Sequence, residues 1–418
     1  MDRRLDRGGA PALAGRAAAL NVAFIHPDLG LGGAERLVVD AAAHLVHAGH
    51  RVVVLTSHHD PARAFPETSD GTLDVRVRGR FLPGHVGQRL RAPCAVARMA
   101  WLAALTARLP ELPDVVFCDL VPHVIPLLRL VGRARIVLYC HYPDRLLAPS
   151  GGALYRWYRS PIDRLEELGT GMADRVLVNS RFTAQRLRES FPRLRVEPIV
   201  LYPGVDPLPT PDLAPDGGTS DKTILCMGRF DPRKHVGLAI EALAALRTRL
   251  PPCDFAQVRL VVAGGYDPRL REQRETVREL ETLVRRLDLV DRVLLRPSPT
   301  EAERLALLSE CRCVVYTPHD EHFGYVPVEA MAAGRPVVAV SAGGPVETVC
   351  DGETGLLCPP QPEAFATALA RLLGDGALAA RLGSAGRAHV AAHFSRAAFG
   401  RRLEGVLRSL VEERRSSR

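Results

Sequence analysis

Two acidic residues, Glu321 and Glu329, bracket a glycine turn in the stretch Glu321-His-Phe-Gly-Tyr-Val-Pro-Val-Glu329-Ala-Met-Ala-Ala-Gly-Arg-Pro. The apolar run 313–316 reads as a buried parallel strand, Gly324 permits a tight turn, and 328–333 reads as a helix stopped by Gly334-Arg-Pro. Glu321 is thereby placed on the loop at a strand's carboxyl end, and Glu329 in the following helix. In open α/β sheets ligands bind at that edge, where the free N–H groups of a helix start suit a phosphate. Two carboxylates there can accept hydrogen bonds from neighbouring sugar hydroxyls, so the pattern predicts a nucleotide-sugar site. It also fits two solvated acids around an ordinary βα turn.

Other loops carry matching chemistry. A predicted strand over 223–227 runs into Gly228-Arg229-Phe-Asp-Pro-Arg-Lys234-His235, where Arg229 and Lys234 can converge on one anion as a guanidinium fork plus an ammonium point charge. A pyrophosphate leaving group is such an anion, although two surface cations give the same pattern. The turn His26-Pro-Asp-Leu-Gly-Leu-Gly32-Gly33-Ala-Glu35 lets backbone approach a ligand closely. Glu35 stands where the dinucleotide fingerprint needs its third glycine, which argues against a dinucleotide. Ala342-Gly343-Gly344-Pro345 offers a further turn whose N–H groups could complete a phosphate cradle.

The elements that must position these loops alternate in βαβ rhythm. Strands are predicted over 22–25, 52–55, 115–118, 136–140 and 175–178, and again over 223–227, 259–263, 292–295, 313–316 and 337–340, with a first helix over about 34–47. Two Rossmann-like α/β halves follow, joined by a Pro- and Gly-rich hinge. The expected division is a flexible tail over 1–20, a first domain over 21–204, a linker over 205–222, a second domain over 223–395, and a last helix over 396–418.

Bulk composition excludes several classes. A length of 418 residues exceeds one ordinary core, and 47% hydrophobic with 24% charged residues is globular. The formal charge of +8 comes from 55 basic and 47 acidic residues spread along the chain, with Lys222 and Lys234 the two lysines. This is arginine usage rather than a nucleic-acid footprint. The nine cysteines are scattered, mostly within apolar runs, and form no Cys-x-x-Cys pair, so they read as core residues of a reducing compartment and no metal is expected. No apolar run reaches the ~20 residues of a membrane span. The stretch 95–109, with Trp101, Arg98 and Arg108 after Arg89 and Arg91, fits either a helix packed on the sheet or one lying at a membrane interface.

These stretches, together with Tyr139-Cys-His141-Tyr-Pro-Asp144, Tyr158-Arg-Ser-Pro-Ile-Asp163 and Ala263-Gly-Gly-Tyr-Asp267, closely resemble the retaining glycosyltransferases of family 4. Within that family they look most like the mannosyltransferases that add the second and third mannoses to the dolichol-linked core of asparagine-linked glycans. The resemblance covers nearly the whole chain from Asn21. It implies the GT-B fold, with the last helix returning to the first domain, and retaining transfer from GDP-mannose to a lipid-linked oligosaccharide, without a cofactor or metal. Another family 4 activity on a different glycan or lipid is the alternative. By resemblance Arg229 and Lys234 hold the pyrophosphate, Glu329 the ribose and Glu321 the sugar hydroxyls. His141 lies beside the transferred mannose, and Gly32 and Gly33 bring backbone near the reaction centre. The implied place is the cytosolic face of the endoplasmic reticulum, or the cytoplasmic membrane face in a prokaryote, as a peripheral protein beside other glycosyltransferases of the same assembly. His235 departs from the Asn or Gly common after the lysine, and the linker's Tyr202-Pro-Gly-Val-Asp lacks the family's Asn.

Overall fold

The computed structural model describes residues 18–84, 91–148, 152–208 and 222–416. Two all-parallel sheets carry the chain. The first runs in the order β3-β2-β1-β4-β5-β6-β7 and the second β10-β9-β8-β11-β12-β13. Their strands are β1 Asn21–His26, β2 Arg51–Thr56, β3 Asp74–Val77, β4 Val115–Asp119, β5 Arg135–Cys140, β6 Arg175–Val178 and β7 Ile199–Val200, then β8 Lys222–Met227, β9 Val258–Gly264, β10 Val293–Pro297, β11 Cys313–Tyr316, β12 Val337–Val340 and β13 Gly355–Cys358. In each sheet the order reverses beside the first strand, between β1 and β4 and between β8 and β11. That reversal opens the crevice in which doubly wound sheets bind ligands. The architecture is GT-B, two Rossmann-like domains facing a cleft.

All ten strands expected from the sequence are present, and β3, β7 and β13 complete the sheets. Central strands such as β4 are buried along their whole length because helices cover both faces, which is why they read as unbroken apolar runs. The edge strand β3, Asp-Val-Arg-Val, keeps no fully buried residue and so gave no such signal.

The helix Arg91–Thr106 buries Met99, Leu102 and Ala103 in the first domain's core, while Trp101 meets Phe81 edge-on at 5.4 Å between ring centroids. Its middle is therefore packed on the sheet, and Arg89 lies outside the described residues. Of the tail, residues 1–17 also lie outside them, whereas Leu20 is a core residue whose N–H donates to His50 Nδ1. The linker residues 209–221 lie outside them too. On its near side, Val205 N donates to the Phe394 carbonyl at 2.7 Å, and Gly204 presses so closely on Arg396 that a side chain would overlap its Cα. The chain thus crosses between domains beside its return, and the helix Arg396–Ser416 packs on the helix Gly33–His47 through Phe399, Leu403, Leu407 and Leu410.

Candidate active site

The strand-end loops meet across the cleft. Lys234 closes a short 3-10 turn, Pro232–Lys234, and His235 after it adopts a left-handed backbone, φ 49° and ψ 37°. Asn and Gly suit that conformation best and His tolerates it, which explains physically what stands at this position. The turn aims Lys234 Nζ at Glu321 Oε2, 2.5 Å away, and Tyr316 donates its hydroxyl to the same oxygen at 2.6 Å. Burial pushes the Glu321 carboxyl up, but Lys234 and Tyr316 outweigh it and hold it below the usual range. Glu321 is therefore an ionised acceptor at neutral pH.

Glu329, one turn into the helix Tyr325–Ala332, is paired with Arg304 at 3.0 Å, and burial raises its carboxyl. Arg229 is exposed, makes no side-chain hydrogen bond or close ion pair among the described residues, and lies near enough to Asp231 to help hold that carboxyl low. Gly343 and Gly344 are packed against the backbone of the 319–323 loop, where a side chain on Gly344 would collide with the Phe323 carbonyl. The Gly344 N–H donates to the Glu321 carbonyl at 2.7 Å, so this N–H is not free for a phosphate as the sequence led us to expect. What Gly344 supplies here is support for the loop that presents Glu321.

Two neighbouring strands of the first domain end on a polar residue, β1 on His26 and β4 on Asp119, and the next strand, β5, stops one residue before His141. Asp119 is fully buried and accepts from both rings, Oδ2 from His26 Nδ1 and Oδ1 from His141 Nε2, each at 2.9 Å. Burial alone would lower the His26 pKa. Asp119 and Glu35, whose carboxylate is 3.9 Å from His26 Nε2, outweigh it and push it up to about 9. Gly32 lies so close to Glu35 that a side chain there would displace it.

A group raised in the folded state stabilises fully below its unfolded pKa and stops doing so as pH rises through its folded one. Wild-type stability should therefore decline between about pH 6.5 and 9, by on the order of 3 kcal/mol from His26. Urea unfolding across that range should show the slope, and His26→Gln should flatten it. An equal slope in the variant would give the effect to another group.

Contacts from the two domains close the cleft. The Tyr142 ring stacks on His322 at 3.7 Å and 15°, and the Tyr325 hydroxyl lies 3.5 Å from the Gly33 carbonyl. Burial pushes the His322 pKa down to about 4, so a neutral ring faces Tyr142. Glu347 accepts from the N–H groups of Arg181 and Phe182 at 2.7 Å each, at the start of the helix Arg181–Ser190, and from the Tyr202 hydroxyl at 3.0 Å. The structure thus brings Lys234, Glu321, His141, Gly32 and Gly33 to one cleft.

Beside it, His123, Asp144 and Glu166 have ligand atoms within 4.8 Å of one another, the one group among the described residues spaced for a metal. Asp144 is already paired with Arg159 at 2.8 Å, and both Glu166 oxygens accept backbone N–H groups, from Asp144 at 2.7 Å and Arg145 at 3.1 Å. These partners account for the two acids as a brace for the loop after His141.

Residues 31–207 match the family described as Glycosyltransferase Family 4, and residues 216–389 match Glycosyl transferases group 1. The chain is 43% identical to the human α-1,3/1,6-mannosyltransferase ALG2, over 94% of this chain and 96% of that one. It is 41% identical to the enzyme of the same name from Rhizomucor pusillus, over 93% and 91%. The chain belongs to glycosyltransferase family 4, in its α-1,3/1,6-mannosyltransferase branch. Among solved structures, sucrose-phosphate synthase from Thermosynechococcus elongatus superposes with a TM-score of 0.69 at 25% identity, covering 94% of this chain and 100% of that one. Anabaena HepE in complex with UDP superposes with a TM-score of 0.71 at 23% identity, covering 93% and 100%, and shows the shared fold.

In this family 4 glycosyltransferase the residues that sequence reasoning missed as site residues are Asp119, His26, Tyr316 and Glu347. Three had a signal. Each is a polar or hydroxyl residue closing an apolar strand of a parallel sheet, the position from which a side chain reaches the cleft. Glu347 had none, since its partners are 166 positions or less away in sequence but in the other domain.

Proposed function

We propose that this glycosyltransferase moves mannose from GDP-mannose to a lipid diphosphate-linked Man-GlcNAc2 acceptor, forming an α-1,3 and an α-1,6 linkage with retention of configuration. The observation that carries the reading is the Lys234–Glu321–Tyr316 cluster at the second domain's switch point, opposite His141 and Gly33 of the first. The donor's pyrophosphate would take Lys234 and Arg229, and the released Glu321 would accept from mannose hydroxyls. Glu329 would bind the ribose, and His141 would lie beside the mannose. On the front face, the bond from the anomeric carbon to the phosphate oxygen breaks as the acceptor oxygen bonds the same face. Its proton passes to the departing phosphate, and GDP leaves. Cations on the pyrophosphate stabilise the charge that develops there, without a divalent ion. The reaction would run on the cytosolic side of the endoplasmic reticulum membrane.

Radiolabelled GDP-mannose incubated with a chitobiose-lipid bearing one mannose tests the reading, and no labelled product would overturn it. Lys234→Ala and Arg229→Ala should each weaken GDP binding by about 1.5–3 kcal/mol, roughly ten- to a hundredfold. Calorimetric titration of GDP measures this. If neither variant changes GDP affinity or turnover, the pyrophosphate is held elsewhere.

A further inference from the structure

We propose that the outer face of the helix Ala153–Met172 is the surface on which this chain lies against an anionic lipid membrane, deepening the lipid-acceptor reading on which it rests. The helix is inverted relative to a core helix. Arg159, Glu166, Gly169 and Thr170 are buried, with Gly169 pressed onto the Pro122 carbonyl. On the opposite side Trp157 is 78% exposed and Leu168 54%, and Pro161 and Arg164 between them are exposed too. Positions 157, 161, 164 and 168 follow the 4-3-4 spacing of a single helical stripe. A helix of this length spans about 30 Å, so the stripe is a long one.

Two neighbours extend it. The short helix Asp144–Leu147 presents Leu146 at 43% and Leu147 at 52% exposure. At the far end a shallow groove is lined by Leu168, Gly171, Met172 and Leu194 between Arg164, Arg193 and Arg195, with Glu167 its one acid. Together with Arg145 and Arg156, five exposed arginines surround an apolar band. Tryptophan and leucine entering the interface, ringed by arginines on phosphate headgroups, is the chemistry of a bilayer surface rich in anionic lipid. Leu146 and Leu147 follow His141 within six residues. The docking face is therefore continuous with the cleft's rim, where a lipid-linked sugar would arrive with its tail still in the bilayer.

Flotation of the full chain with phosphatidylserine-containing and pure phosphatidylcholine vesicles tests this. Wild type should float with the first, less so at high salt. Trp157→Ser/Leu168→Ser, and separately Arg164→Ser/Arg193→Ser/Arg195→Ser, should each reduce the bound fraction at least about tenfold, while turnover on a detergent-dispersed short-chain acceptor stays unchanged. Circular dichroism confirms that the variants fold. Absence of wild-type flotation overturns the proposal, and so does wild-type-like flotation of both variants. So does loss of flotation from Phe81→Ser/Trp101→Ser alone, which would move docking to the other exposed aromatic pair. Conversion of a dimer to a monomer by Trp157→Ser in sedimentation would instead make the face a contact between copies, also overturning it. Flotation through this face by a chain that transfers no mannose would sink the acceptor reading and leave the docking face standing.

Discussion

Glu321→Ala should lower turnover by about 10²–10³ and abolish both linkages together, while GDP binds as well as before or more tightly. Two arguments from the site set these signs. GDP carries no mannose, so the hydroxyl contacts proposed for Glu321 are absent from GDP binding and present only when sugar is transferred. Glu321 also holds Lys234 at 2.5 Å, so the proposed pyrophosphate must win the ammonium from a partly buried carboxylate. Deleting that competitor removes a cost of binding.

The joint loss follows from there being a single Glu321–Lys234 cluster, in a chain with two lysines altogether. One donor site must serve two bond geometries, so the acceptor has to enter in two poses. Substitutions on the acceptor side, at Asp144 for example, should then shift the ratio of the two products without abolishing either. Linkage-specific mannosidase digestion reads both results. A Glu321→Ala enzyme that kept one linkage would require a second donor site, and loss of GDP affinity equal to the loss of turnover would make Glu321 a nucleotide or folding residue.

The residues just discussed were legible because their signal is local. An apolar run of four, a glycine turn and a charged residue at fixed offset describe Glu321, and the same grammar describes Lys234. What stayed hidden is pairing across distance. Glu347 lies in a short turn of the second domain, yet it caps a helix 166 positions earlier. Gly344 was expected to offer its N–H to a phosphate. In the fold that N–H meets a carbonyl of a neighbouring loop, a partner no spacing rule could supply. Strands β3 and β7 escaped for another reason: an edge strand buries too little, and a two-residue strand is too short, to leave an apolar run. The helix Arg91–Thr106 was ambiguous because an Ala-rich face packs on a sheet as well as it meets a lipid surface, and only the burial of Met99 and Leu102 decides for its middle.

Asp119→Asn should cut turnover by about 10² with GDP affinity little changed, because Asp119 is fully buried and acts through the two rings it holds. A carboxylate accepts on both oxygens, and here each oxygen takes one imidazole, from His26 and from His141, at 2.9 Å. Because Asp119 Oδ1 can only accept, the His141 proton is held on Nε2, and Nδ1 has no partner among the described residues and is left for a ligand. An asparagine keeps the shape but has one acceptor and one donor. If its amide group faces His141, Nε2 must give up its proton to become an acceptor, and the proton moves to Nδ1. The ring proposed to lie beside the transferred mannose then offers a donor where it had offered a lone pair. If the amide group faces His26 instead, the buried His26 loses the charge that sustains its protonation, and its pKa falls from about 9. Asp119 is thus a positioning residue, and two readouts separate that role from a merely structural one. Nitrogen chemical shifts of selectively labelled His141 should change tautomer, and the loss should fall on kcat rather than on KM for GDP-mannose. A folded Asp119→Asn enzyme that retains kcat within a few-fold, with the His141 shifts unmoved, would reduce the pair of hydrogen bonds to packing.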